Sequence, residues 1–264
     1  MYTIVTVTDG NQVNQIALRV LIKGLRRYVA SEVDIVVLSP PNVLTQSTAT
    51  WLDAQGIAYR AYPLIQNGDI YQVKFLLVNF LRENQENTNI LYLDPDHIVL
   101  GNVFDSLKQT DQMLNVSSEV STIDSAVFQA LHEINSESIH YNTSLVYGYY
   151  LDWLAILDNW ASIYNKIETF IPNRYREEIA FGMAAKPSGI DLLPVSNMDQ
   201  SGFHNPRTDC ILFHYGGEFP ESKRIKLSLK KEHSVLTKLF ELLHNPINEI
   251  EAWVVNKIVD AYKE

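Results

Sequence analysis

Apolar and polar positions alternate between two spacings along the first hundred residues. Tyr2-Thr-Ile-Val-Thr-Val is β-branched and breaks at Thr8-Asp9-Gly10-Asn11, which predicts a strand, then a turn and a helix cap. Val13, Ile16, Val20, Leu21, Leu25 and Tyr28 next recur every three or four residues, the stripe of an amphipathic helix, with Arg19, Lys23, Arg26 and Arg27 largely on its other faces. A second strand, Val33 to Leu38, stops at Pro40-Pro41, and Val43 to Ala54 reads as a second helix. Gly56 to Tyr62 reads as a third strand. Tyr71 to Arg82 is a third helix, its apolar side made by Val73, Leu76, Leu77 and Phe80. Ile90-Leu-Tyr-Leu is a short unbroken apolar run between polar turns, as expected of a central strand covered on both faces.

Strands alternating with helices imply a mostly parallel, doubly wound sheet, the α/β class, flanked by helices. Such sheets bind ligands at the carboxyl ends of their strands. The first strand delivers Thr8 and Asp9 there, and the central strand delivers Asp94-Pro95-Asp96. Farther on, Asn142 to Tyr147 reads as a strand, Tyr149 to Tyr164 and Arg174 to Ala185 as helices, and Cys210 to Phe213 as a late strand. Ser234 to Leu243 and Pro246 to Tyr262 look like amphipathic closing helices. The expected organisation is one domain over residues 1–230 with a C-terminal helical extension, 231–264, packed on it. No repeat or low-complexity linker divides it.

Composition narrows the function. A net charge of -10 argues against a nucleic-acid partner, which wants a basic face. One cysteine, Cys210, excludes an intramolecular disulfide and a cysteine-rich metal site. The chain opens directly on a strand with no basic region or long apolar run, so a cytoplasmic protein without a membrane span is expected. On that reading the sequons at Asn115 and Asn142 are chance matches. Oligomeric state is not legible.

Asp94 and Asp96 stand two apart directly after the central strand. In extended geometry such residues project to one side, and Pro95 stiffens the link between them. Two like charges this close repel, and a divalent cation relieves the repulsion. Oxygen ligands select hard ions such as Mg2+ or Mn2+. His214, between the late strand and Gly216-Gly217, is either a metal ligand or a structural imidazole.

Together these pieces resemble glycosyltransferase family 8, which contains glycogenin and bacterial lipopolysaccharide galactosyl- and glucosyltransferases. Ile4-Val-Thr-Val-Thr-Asp9-Gly-Asn11-Gln12 is similar to the family's opening strand and nucleotide-binding turn. Leu91-Tyr-Leu-Asp94-Pro-Asp96-His-Ile-Val resembles its Asp-x-Asp block, and Tyr141-Asn142-Thr-Ser-Leu-Val its asparagine segment. His214-Tyr-Gly-Gly217 resembles the first half of its histidine motif. The motifs run in family order over residues 2 to about 225. The resemblance implies a GT-A fold, a UDP-sugar donor, a glycan or other hydroxyl acceptor, Mn2+ (or Mg2+), and transfer with retention. It implies Asp94, Asp96 and His214 as metal ligands, and Thr8, Asp9, Asn11, Gln12, Lys74, Pro95, Gly217 and Lys223 at the donor. Asn142 would contact the donor sugar or the acceptor.

The sequence departs from the family pattern at several of these positions. Gln12 stands for a tyrosine, Lys74 for an arginine, Ser144 for a glycine, and Pro220 for the motif lysine, leaving Lys223 nearby. Arg176-Glu177-Glu178 stands for Asp-Gln-Asp, making Glu177 the candidate for the catalytic polar residue or else a solvated helical carboxylate. Two rivals follow: a non-catalytic GT-A domain that binds sugar or partner, and a sugar-phosphate nucleotidyltransferase. The turn at Thr8 to Gln12 disfavours the latter, having one glycine and no basic residue.

Overall fold

In the computed structural model, strand β1 (Tyr2–Val7) buries every residue after Tyr2, and β2 (Asp34–Ser39) every residue after Asp34. The structure describes residues 2–64, 70–84, 88–108, 111–117, 141–167, 173–195, 199–201 and 211–214. The closing helices expected beyond Ser234, the extension 231–264, Cys210, Gly217 and Lys223 lie outside the described residues.

The remaining strands are β3 (Ala58–Ala61), β4 (Asn89–Leu93), β5 (His97–Val99), β6 (Met113–Ser117), β7 (Leu145–Tyr149), β8 (Asp191–Val195), β9 (Asp199–Ser201) and β10 (Leu212–His214). Helices are α1 (Gln12–Tyr28), α2 (Gln46–Ala54), α3 (Leu76–Glu83), α4 (Tyr150–Lys166) and α5 (Asn173–Ala185). A seven-stranded sheet runs β3-β2-β1-β4-β7-β6-β8, and a smaller sheet runs β5-β10-β9. The large sheet is parallel except at β7, which is antiparallel to both β4 and β6. The α/β expectation holds.

Alternation along the strands divides the core in two. Ile4, Leu91, Leu93, Leu145 and Tyr147 face Leu18, Leu21, Ile22 and Leu25 of α1 and Leu52 of α2. Val5, Val7, Ile90, Tyr92 and Val146 face α3, α4 and α5. On that second side Trp153 and Trp160 are fully buried, and each indole N–H finds a carbonyl, Ile90 O at 3.3 Å and Glu177 O at 2.9 Å. Trp160 therefore ties α4 to the backbone of Glu177.

Four differences from the sequence reading have physical causes. Tyr71 to Arg82 is not one helix: Ile70–Phe75 winds as a 3-10 segment and α3 starts at Leu76. Val73, Lys74, Phe75 and Leu76 are buried in succession, a run that leaves no solvent face for an amphipathic α-helix there. The second helix begins later than Val43, because Thr45 caps it by accepting the Thr48 N–H. The strand expected from Asn142 starts at Leu145, because Asn142 Oδ1 accepts the Ser144 N–H and closes a turn. Strands β5 and β9, of three residues each, are too short for a period to register, and β6 (Met113-Leu-Asn-Val-Ser) and β8 (Asp191-Leu-Leu-Pro-Val) lack an unbroken apolar run or a clean alternation. Both sequons lie in buried positions: Asn115 is pinned by Lys108 N–H and O, and Asn142 sits beneath the turn it forms. Among the described residues, no helix is long and apolar enough to cross a membrane.

Candidate active site

β1 and β4 are parallel neighbours, Val5 opposite Tyr92, so their carboxyl ends leave the same edge of the sheet. The β1 turn is built by polar side chains spent on backbone. Thr8 N–H donates to Leu38 O, and Asp9 Oδ1 accepts Asn11 N–H at 2.9 Å and Asn14 Nδ2 at 2.8 Å. Gln15 donates to Gly10 O and accepts both the Thr45 N–H and its hydroxyl, which fastens the turn to α2. Gly10 has φ +79°, and a Cβ there would lie 2.4 Å from Val43 Cβ. Only glycine meets both conditions. Thr8 is buried, Asn11 is exposed, and Gln12 opens α1. These donor-turn residues thus share one short stretch at the sheet edge.

The β4 turn is built differently. Asp94 still follows the β4 ladder, whereas Pro95 and Asp96 form the turn into β5, so the two acids do not share one extended run as their spacing suggested. Asp94 N–H continues the β4–β7 ladder by donating to Ser144 O at 2.8 Å. Tyr92 lies two residues earlier on the same face and donates its hydroxyl to Asp94 Oδ1. Burial, and then the Asp94 carboxylate, push the Tyr92 phenol well above its ordinary range, so it remains a donor.

Lys74 reaches into this turn from the 3-10 segment. Its ammonium lies 3.2 Å from Asp94 Oδ2, 3.0 Å from Glu177 Oε2 and 2.9 Å from Thr143 Oγ1, one partner for each of its three protons. The Thr143 hydroxyl donates onward to Glu177 Oε1 at 2.6 Å. Glu177 is 1 % exposed, so it is not a solvated helical carboxylate. Burial alone would lower the Lys74 ammonium, but Asp94 and Glu177 outweigh it and raise it. One cation is shared between two carboxylates, and the deeper one bears the larger desolvation. Burial pushes Glu177 up to about 7, with Lys74 opposing.

The third group comes from β10. His214 Nε2 lies 3.3 Å from Asp96 Oδ1, an ion pair when the imidazole is protonated, without hydrogen-bond geometry. Burial disfavours the Asp96 carboxylate, but positive charge at His214 outweighs it and holds the group down at about 2. Asp94, Asp96 and His214 each present a ligand atom within 4.8 Å of the others. Two carboxylates and an imidazole can together hold a divalent metal ion, and a buried carboxylate oxygen that accepts no hydrogen bond suits a cation. Pro95 sits between the two acids, partly exposed, and Asn142 and Ser144 line the neighbouring turn.

Sequence reasoning missed Tyr92, Thr143 and His97. Tyr92 was findable, because residues two apart on a strand share a face. Thr143 sat unmarked between two flagged residues.

Neither a family model nor a curated protein sequence matches the chain. Solved structures do. A galactosyltransferase, LgtC, in complex with donor and acceptor sugar analogues aligns over 81 % of this chain and 87 % of its own, with TM-score 0.60 and 13 % identity. The bifunctional glycosyltransferase WbbM aligns over 82 % of this chain and 46 % of its own, with TM-score 0.57 and 11 % identity. The glycosyltransferase GlyE of Streptococcus pneumoniae TIGR4 aligns over 73 % and 46 %, with TM-score 0.51 and 17 % identity. This chain carries the α/β fold found in those solved glycosyltransferases.

Proposed function

We propose that this chain is a glycosyltransferase of the GT-A type, related to family 8, that moves a hexose from a UDP-sugar to a hydroxyl acceptor. The observation that carries the reading is the convergence of Asp94, Asp96 and His214 at the carboxyl end of β4. Their position at the edge of a glycosyltransferase fold supports a divalent ion, Mn2+ or Mg2+, in that group. When bound, the ion neutralises the negative charge that develops on the departing diphosphate.

The chain's own residues do the rest. The Thr8 to Gln12 turn is assigned to the nucleoside, and Gly10 fixes its shape by letting the main chain pack against Val43. Lys74 keeps its charge and holds Asp94 by one oxygen while Tyr92 holds the other. Pro95 limits the freedom of the two acids. Asn142, buried with its Oδ1 on the Ser144 N–H, is assigned to the donor sugar or acceptor on the resemblance alone. Glu177 is fully buried behind Lys74 and Thr143, so it acts through Lys74 and through its field rather than by attacking the anomeric carbon. Gly217 and Lys223 are assigned to the diphosphate on the resemblance alone. Retention at the anomeric carbon and a glycan acceptor rest on the same resemblance.

Incubating the protein with a panel of UDP-sugars and Mn2+ and scoring free UDP tests the assignment. UDP release that chelation stops supports it. Tight UDP binding without turnover of any donor indicates the non-catalytic reading, and pyrophosphate release from UTP and a sugar phosphate indicates a nucleotidyltransferase.

A further inference from the structure

His97 is fully buried directly after Asp96, yet none of the chemistry above uses it. It touches both halves of the ligand group. Its Nδ1 lies 2.9 Å from Asp94 O, closing the turn that carries the two acids. A carbonyl oxygen only accepts, so the proton is assigned to Nδ1. Its ring stacks on His214, with centroids 4.6 Å apart and planes 16° from parallel. The stack is fixed by strand pairing, because β5 and β10 are antiparallel with His97 directly opposite His214.

We propose that His97 is a positioning residue that joins the Asp94–Asp96 turn to His214 and sets the His214 ring for metal binding. The proposal rests on the metal reading of that group. His214 lies more than a hundred residues from the two acids in sequence, and strand register alone leaves its ring free to rotate about its side-chain bonds. A neighbouring ring packed face to face removes that freedom. The Nδ1–H clasp on Asp94 O keeps the acid turn at one distance from the same ring. Partners of this kind typically hold about 10–100-fold of a site's metal affinity.

Two substitutions separate the two contacts. H97N keeps a short donor for the Asp94 carbonyl without a ring, and H97F keeps a stacking ring without the donor. Mn2+ titrated into the protein with UDP present should bind H97A about 10–100-fold more weakly than the unsubstituted chain. H97N and H97F should fall between. Histidine-ring NMR of the metal-free protein supplies a readout that needs neither turnover nor a variant that folds. It should show the proton of His97 on Nδ1 and His214 ring protons shifted by the stacked neighbour. Unchanged Mn2+ affinity in folded H97A, or a His97 proton on Nε2, overturns the proposal alone. An unsubstituted protein that binds no Mn2+ overturns the metal reading, and this proposal with it.

Discussion

The turns that end β1 and β4 lie on one edge of the sheet, yet their polar atoms are used in opposite ways. In the β1 turn, Asp9 accepts from Asn11 N–H and Asn14 while Gln15 bonds to Gly10 O and to Thr45, a net of hydrogen bonds around one half-buried carboxylate. At the β4 turn, the buried Lys74 and Glu177 and the half-buried Asp94 and Asp96 bring four ionisable groups together around few backbone contacts. The first turn holds a shape and the second stores a charge pattern. A shape tolerates single losses of about a hydrogen bond each. A buried charge pattern does not, because removing one member strands the others.

That contrast can be broken most severely at the acids. D94N combined with D96N should lower metal-dependent UDP release at least about a hundredfold. A thermal melt should show the chain still folded; full release in this variant refutes the assignment. Next in size is the shared cation. K74M leaves the buried Glu177 and the half-buried Asp94 carboxylates without their shared cation, and denaturant unfolding should show a loss of about 3 kcal/mol. Adding E177Q to K74M should recover part of that loss, because one stranded charge is gone; strict additivity would contradict the shared-cation geometry.

The β1 turn should respond more mildly. G10A meets Val43 and forces a positive φ on alanine, with an expected loss of about 1–3 kcal/mol. Its kinetic signature should be a raised KM for the donor with kcat largely kept, since the turn binds rather than reacts. The smallest effect is expected for D9A, which removes the side-chain acceptor for Asn11 N–H and weakens the start of α1 by about 1 kcal/mol. Equal losses at Asp9 and Lys74 would erase the distinction between the two turns.

The sequence reading succeeded where the signal is local. β1 and α1 carry extended apolar patterns, and the Asp94–Asp96 pair follows a short unbroken apolar run that marks a buried strand. It weakened where structure depends on pairing between distant segments. Nothing near residue 97 announces that β5 will lie against β10, so the facing of His97 and His214 was invisible. Asp96 and His214 were brought together only through the family resemblance. Lys74 was placed at the donor by that resemblance, but its triple contact with Asp94, Glu177 and Thr143 was not foreseen. The partners come from three elements that are far apart in the chain. Glu177 looked like one acid in a polar helix, because the Trp160 indole that holds its carbonyl lies on another helix.

The central claim is that two neighbouring acids and one distant imidazole share a single divalent ion. Crystals grown with MnCl2 and UDP, measured for manganese anomalous scattering, test it directly. The account expects one strong peak bonded to Asp94, Asp96 and His214. Bound UDP with no peak among those three side chains, or with manganese held elsewhere, would contradict it.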